Sequence, residues 1–247
     1  DGSTDGTKEV IEKLRARDKR VKYLECSPSR RIAVVSNFGI RHAAGEYIAI
    51  LDDDDWWIDP QKLDMQVAFL DANPRIVGCG GGYIVVDEDG REKEKFLKPE
   101  RDPDIKKNAL AANPMVNSTT LFRRSAAAQA GFYDESLKQF ADWDFWLELG
   151  KLGELYNFQR YFVKYRMWRG GASFRKQREA AVAGFRIVWR HRHAYGKFFL
   201  AFVHACAYAT HAFLPGFIKR FTSPILSGIK KRLFAEKDRS RREGEKS

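Results

Sequence analysis

A chain of 247 residues with 44% hydrophobic and 31% charged side chains has an ordinary globular composition, with room for one large domain or one domain and an appendage. Three scattered cysteines, Cys26, Cys79 and Cys206, exclude a disulfide framework and a closely spaced zinc site and fit a reducing compartment. The net charge of +11 is uneven: residues 1–159 carry 23 Lys and Arg against 28 Asp and Glu, residues 160–247 carry 21 against 5, so the C-terminal third faces something anionic, phospholipid or nucleic acid.

The chain opens on a turn, Asp1-Gly2-Ser3-Thr4-Asp5-Gly6, with no Met and no strand before it, which reads as an N-terminally incomplete chain. Residues 7–16 follow as a helix with Val10, Ile11 and Leu14 on one face, then a short strand over 21–24. A second helix is expected over 33–44, closed by Gly45 as a left-handed cap. The apolar strand 47–51 ends abruptly in Asp52-Asp53-Asp54-Asp55, followed by Trp56 and Trp57. Asp59-Pro60 starts a helix carrying Leu63, Val67 and Leu70 on one face. Strands are expected at 76–79 and 83–87, a hairpin turn at Asp89-Gly90, and a short helix from Asp102-Pro103. Residues 116–122 alternate as a strand, and 125–130 form a helix closed by Gly131. An aromatic helix over 140–149 and strands at 155–158 and 162–167 complete the domain. Alternating strands and helices in the first half predict a mainly parallel sheet.

Beyond Gly170-Gly171 the character changes. A long helix is expected over 175–195, and the 21 residues from 198 to 218 contain no Asp, Glu, Lys or Arg. That run is long enough to span a bilayer. Its interruptions at His204, Thr210, His211 and Pro215, and the basic, aromatic segment after it, fit better a helix lying in a membrane interface.

Four adjacent carboxylates at a strand end repel one another, an arrangement that a divalent cation relieves because hard cations take oxygen ligands. Asp1, Ser3, Asp5, Gly6 and Glu12 match a calcium-loop spacing, but Lys8 stands where such loops are apolar and residues 8–12 already read as helix. The opening turn fits a nucleotide site instead, with a carboxylate for the base or ribose and a helix N-terminus for phosphate. Asp142 and Asp144 form a second acidic group among aromatics, surroundings that raise a carboxylate toward general-base range. For Asp144 a helix cap is the simpler role. The five histidines show no metal-site spacing, and Arg30, Arg31 and Arg41 read as solvated surface.

In this order, several pieces resemble the inverting glycosyltransferases of family 2, with the GT-A fold. They are Asp1-Gly2-Ser3-Thr4-Asp5, Ser36-Asn37-Phe38-Gly39-Ile40, Leu51-Asp52-Asp53-Asp54-Asp55, Asn117-Ser118-Thr119-Thr120, Gly131-Phe132-Tyr133-Asp134-Glu135 and Asp142-Trp143-Asp144-Phe145-Trp146. The resemblance implies an α/β, Rossmann-like GT-A domain over 1–173 with flanking helices but without its first strands. It is followed by a C-terminal helical, membrane-associating region over 174–235 and a disordered charged tail over 236–247. It implies Asp142 as catalytic base, Asp1, Asn37, Asp52 and Asp53 as donor-binding, and Asp54 and Asp55 on a Mg2+ or Mn2+ ion. The implied partners are a nucleoside-diphosphate sugar, a hydroxyl acceptor (a sugar or lipid-linked sugar) and an anionic membrane surface at the inner, cytoplasmic face, with no nucleic acid. Ser36 and Ala141 stand where the family usually has Arg and Glu, and Trp168 where a His often stands. These departures leave a second reading, a catalytically impaired nucleotide- or sugar-binding relative. A nucleotidyltransferase would need a Gly-rich phosphate loop at its N-terminus.

Overall fold

The computed structural model describes residues 1–26, 31–167 and 177–214. In chain order its elements are α1 (Thr7–Arg17), α2 (Ile32–His42), β1 (Tyr47–Ala49), β2 (Trp56–Trp57), α3 (Lys62–Ala72), β3 (Ile76–Val86) and β4 (Glu92–Phe96). They continue with α4 (Asp102–Asn108), a 3-10 turn (Asn117–Thr119), β5 (Leu121–Arg123), α5 (Arg124–Ala130), α6 (Ala141–Leu152), β6 (Glu154–Arg166), α7 (Gln177–Arg190) and α8 (Phe198–Phe213).

The strands form one sheet in the order β1-β5-β3-β6-β2, with β4 also on β3. Among the described residues only β3 and β6 run parallel; β1–β5, β3–β5, β3–β4 and β2–β6 are antiparallel. The expected mainly parallel sheet is therefore corrected to a mixed one. Periodicity reports which face a residue takes, whereas direction is set by pairing between strands distant in sequence, such as β1 with β5. The two strands expected at 76–79 and 83–87 are one. Gly80, Gly81 and Gly82 look like a break, but they let neighbours close in: a Cβ on Gly80 would lie 2.8 Å from Asn157 Oδ1, and one on Gly82 would lie 2.9 Å from the Phe96 carbonyl. Likewise 155–158 and 162–167 merge into β6, which runs beside β3 along its whole length.

Alternate residues of the sheet serve two cores. Phe122 and Leu155 pack with Phe145, Trp146 and Leu149 of α6 on one face. Their neighbours Leu121 and Tyr156 pack with Leu70 and Phe69 of α3 on the other. The aromatic pattern of α6 fits a helix surrounded by structure: Phe145, Trp146, Leu147 and Leu149 are all buried. Gly131, at φ 85°, closes α5 as expected, its N–H reaching the Ala128 carbonyl at 3.2 Å.

Three smaller expectations fail. Residues 21–24 form no strand. Residues 117–119 tighten into a 3-10 turn because the Thr119 and Thr120 hydroxyls bond back to the Val116 and Asn117 carbonyls, at 2.7 and 2.6 Å. Gly45 is not the left-handed cap of α2, which ends at Ala43 in extended conformation.

The C-terminal helices dock on α6. Asp144 Oδ1 lies 2.9 Å from His191 Nε2, its Oδ2 accepts from Arg190 Nη1 at 2.8 Å, and the Tyr195 hydroxyl donates to the Leu147 carbonyl at 2.5 Å. Asp144 is thus a clamp on α7, and its side chain does not cap α6. Helix α8 has 16 residues, about 24 Å at 1.5 Å per residue. Among the described residues no helix is long and apolar enough to cross a membrane. Residues 215–218 of the expected 198–218 segment, Trp168 and the segment around it, and the 236–247 tail lie outside the described residues.

Candidate active site

Strands β1 and β2 are opposite edges of the sheet, so the chain between them must cross the ends of the intervening strands. The acidic turn makes that crossing. It is closed by the Asp55 N–H donating to the Asp52 carbonyl at 3.1 Å and seated on the 3-10 turn that leads into β5. Ser118 forms the seat. Its Oγ accepts from the Asp52 N–H at 3.1 Å and donates to Asp55 Oδ2 at 2.6 Å. Asn117 Nδ2 donates to Asp52 Oδ1 at 3.2 Å, and Tyr133 Oη donates to Asn117 Oδ1 at 3.1 Å.

Asp142 enters from the first turn of α6, where Asn113 Nδ2 donates to its Oδ2 at 2.7 Å. Burial pushes the Asp142 carboxyl above the usual range, and the nearby Asp52 charge adds to it, against the Trp143 N–H and Asn113. Asp52 is raised too, first by burial and then by Asp54 and Asp53, against Asn117 and Ser118. Tyr133, buried, is raised well above its ordinary value by burial and by the charges of Asp142 and Asp52. The structure thus brings together Asp52, Asn117, Tyr133, Asn113 and Asp142. Among the described residues, no Lys or Arg pairs with Asp52 or Asp142.

Two expected site residues lie elsewhere. Asp55 is 8% exposed, and both its oxygens are engaged, Oδ2 by Ser118 and Oδ1 by the Arg166 N–H at 3.0 Å. It ties the turn to the end of β6. Burial raises it to about 6, despite the donors from Ser118 and Arg166. Asn37 is fully buried in α2. Its Nδ2 donates to the Tyr133 carbonyl and to Glu135 Oε1, both at 2.9 Å, and its Oδ1 accepts from the Tyr133 N–H at 2.9 Å. It fixes Tyr133, whose hydroxyl bonds Asn117 at the acidic turn. Asp53 is exposed and Asp54 partly exposed at the tip of the turn, and Asp1 is exposed on the coil before α1.

Sequence reasoning missed the groups that hold the 3-10 turn from below. Lys62 is 1% exposed, with Nζ 2.9 Å from Gln66 Oε1 and 4.4 Å from the centre of the Trp57 ring. Gln66 Nε2 donates to the Thr119 carbonyl at 2.9 Å, and Trp57 Nε1 to the Ser118 carbonyl at 2.8 Å. Burial pulls the Lys62 amine down to about 8. The available signal was Lys62 and Gln66 one turn apart on a helix, aligned toward the sheet.

The donor set is all carboxylate and amide oxygen, the chemistry of a hard divalent cation. Among the described residues no three His, Cys, Asp or Glu side chains converge into a cage. The fit is to a cation that takes the rest of its shell from a bound ligand.

The family described as glycosyl transferase family 2 matches residues 1–131. The chain is 31% identical over 170 residues to EpsE of Bacillus subtilis (strain 168), assigned as a glycosyltransferase, covering 67% of this chain and 60% of EpsE. It is 30% identical over 117 residues to the amylovoran biosynthesis glycosyltransferase AmsE of Erwinia amylovora, covering 47% of this chain and 43% of AmsE. The chain thus spans less than two thirds of either relative. In fold it resembles S. aureus TarS 1-349 in complex with UDP-GlcNAc, at TM-score 0.59 and 16% identity, covering 85% of this chain and 60% of that one. It also resembles the mannosyltransferase PcManGT from Pyrobaculum calidifontis in complex with GDP-Man and Mn2+, at TM-score 0.55 and 18% identity, covering 85% and 58%. An acidic turn laid across the strand ends, a carboxylate facing it from a helix start, and a family match over more than half the sequence agree: this chain belongs to glycosyl transferase family 2.

Proposed function

We propose that the protein transfers a sugar from a nucleoside-diphosphate sugar to an acceptor hydroxyl, with inversion and with a divalent metal, in the synthesis of a surface polysaccharide or glycolipid. The observation that carries this reading is the Asp52–Asp142 pair, two carboxylates raised by burial, Asp142 also by the Asp52 charge, with no Lys or Arg paired to either among the described residues. A cationic or proton-releasing ligand suits such a pair. Supporting it are the names of the relatives, one of them in amylovoran biosynthesis, and the UDP-GlcNAc, GDP-Man and Mn2+ held by the structural neighbours.

In this reading Asp142 takes the proton from the acceptor hydroxyl as its oxygen attacks the anomeric carbon. The bond from that carbon to the diphosphate oxygen breaks, and the diphosphate leaves with the electron pair. Attack from the face opposite the leaving group inverts the centre. Asp54 would hold a Mg2+ or Mn2+ ion, which would supply neutralisation of the departing charge. Asp52 faces the donor ribose, Asp53 stands beside the donor at the tip of the turn, and Asp1 lies at the base pocket. Asn113 orients Asp142, the support that Ala141 cannot provide, so the binding-only alternative loses part of its motive.

The basic C-terminal third places the protein peripherally on anionic lipid at the cytoplasmic face of the membrane, each basic residue near the surface adding about 1 kcal/mol. The test is a screen of nucleotide sugars with the full-length protein, with and without Mn2+. Turnover is expected for one donor, lost in Asp54→Ala and in Asp142→Asn. Nucleotide binding without turnover on any donor selects the binding-only relative, and transfer surviving both substitutions overturns the proposal.

A further inference from the structure

One buried ionisable group has no part in the reaction described so far. Lys62 opens α3 and is 1% exposed, and among the described residues no carboxylate pairs with its amine. The titratable group that faces it is Cys79 of β3, fully buried, its thiol raised to about 12 by burial. A buried ammonium without a counter-charge is destabilising, and a Met would fill much the same volume without the desolvation. A group held there against that penalty points to something only an amine does.

What the amine does is orient two neighbours. Nζ is a donor, so at 2.9 Å it requires the oxygen of the Gln66 amide, Oε1, to face it. Gln66 Nε2 is then turned the other way, to the Thr119 carbonyl at 2.9 Å. The same amine stands 4.4 Å from the centre of the Trp57 ring, and a cation over a ring face favours one tilt of the indole. In that tilt Trp57 Nε1 donates to the Ser118 carbonyl at 2.8 Å. One amine thus governs two N–H groups, and they hold consecutive carbonyls of the 3-10 turn. Ser118 Oγ in turn accepts the Asp52 N–H and donates to Asp55, and Asn117 donates to Asp52. The platform behind is tied to the sheet, because Arg123 of β5 donates to the Leu70 carbonyl of α3 at 2.6 Å.

We propose that Lys62 is a positioning residue for the donor: through Gln66 and Trp57 it fixes the turn that carries the donor-binding carboxylates. The inference rests on the acidic turn being the donor site. Lys62 touches no substrate, and its effect falls on donor affinity. Asp142 is held separately, by α6 and by Asn113.

Gln66→Glu separates this role from ordinary packing. A glutamate keeps the shape and gives Lys62 the counter-charge it lacks, but it has no N–H for the Thr119 carbonyl. Calorimetry on the full-length protein measures binding of UDP, GDP and dTDP, each with Mn2+. For the nucleotide that binds the wild type, Gln66→Glu and Lys62→Met should each raise Kd about ten-fold while urea unfolding stays cooperative. Trp57→Phe keeps a ring face for Lys62 and loses the indole N–H, and should raise Kd about three-fold. In steady-state transfer the loss should appear in the donor KM, with kcat within about two-fold of wild type. A folded Gln66→Glu that binds nucleotide as tightly as wild type overturns the proposal and leaves Lys62 as core. A loss that falls on kcat at unchanged donor KM overturns it too. If Gln66→Glu does not fold, Lys62→Met and Trp57→Phe decide on the same readouts. The donor site fails differently: a wild type that binds none of the three nucleotides removes the reading of the acidic turn and this inference with it. Binding weakened by Asp54→Ala but untouched by Gln66→Glu and Lys62→Met removes only the role of Lys62.

Discussion

The acidic turn at 52–55 and the helix start at 142–144 divide their carboxylates in the same way. In each, one Asp faces the cleft and another is buried as a clamp on a later part of the chain. Asp55 holds the end of β6 through Ser118 and the Arg166 N–H, and Asp144 holds α7 through His191 and Arg190. They differ in partner. Asp55 is met by neutral donors and stays raised to about 6; Asp144 is met by a guanidinium and an imidazole. A buried carboxylate serves as structure under either arrangement, and at Asp55 burial outweighs the neutral donors. Carboxylate clusters in a sequence therefore do not count ligands: of six Asp in these two stretches, two serve the fold.

The comparison breaks most sharply at Asp142. Asp142→Asn should lower kcat/KM for transfer by about 10²–10⁴-fold, with the donor Kd within about three-fold of wild type, read by steady-state kinetics and calorimetry. Next comes Asp144→Ala, which leaves a fully buried His191 with the longer contact to Glu148 at 3.7 Å and should cost about 2–4 kcal/mol in urea unfolding. Asp134→Ala removes the other, more exposed partner of Arg190 and should cost under about 1 kcal/mol. If the two losses are equal, the buried clamp is no stronger than a surface pair.

Asp55 gives a pH test. Between pH 4 and 6 the folded protein keeps a proton on Asp55 that the unfolded chain, with a carboxyl near 3.8, has already released. Stability must therefore fall as pH rises through that window, by about 3 kcal/mol at most. Asp55→Asn should remove that fall, so the variant's deficit against wild type narrows from pH 4 to pH 7 in paired unfolding curves. A deficit constant with pH shows that Asp55 keeps an ordinary carboxyl. The smallest effect is expected at Lys62, lowered to about 8 from 10.5. Between those values the unfolded chain holds the proton that the folded one has lost, so stability rises with pH. Lys62→Met should flatten that rise between pH 8 and 10 and shift stability at pH 7 by about 1 kcal/mol or less, because the lost burial cost is offset by the donor that Gln66 Oε1 loses.

Much of this was legible in the sequence, and the exceptions have a common cause. Helices α3 to α6, the hairpin at Asp89-Gly90 and the Gly131 cap follow from local chemistry and lie close to where spacing placed them. The convergence of Asp52 with Asp142 came only from the resemblance, because 90 residues separate them. Asn113 gave no local sign, since it acts on a residue distant in sequence, and Lys62 gave only its one-turn spacing from Gln66. Asn37 and Asp55 stood in the right motifs, but their neighbours in space turned them inward. Helix α1 shows the limit from the other side: its pattern was read correctly as helical, yet Val10 and Leu14 are 56% and 48% exposed and none of its residues is buried.

The glycines of β3 extend these effects to a strand remote from the chemistry. A Cβ on Gly81 would fall inside the Phe162 ring, and one on Gly80 would lie 3.1 Å from Thr119 Oγ1, beside the turn that seats the acidic residues. Phe162 in turn accepts the Ile58 N–H at 3.0 Å, just past the two tryptophans. The strand works as a thin spacer, and one methyl group would widen the gap on both sides. Variants at 80–82 should therefore imitate active-site lesions, losing turnover along with cooperativity of unfolding, although none of the three is among the acidic-turn and helix-start residues that form the site.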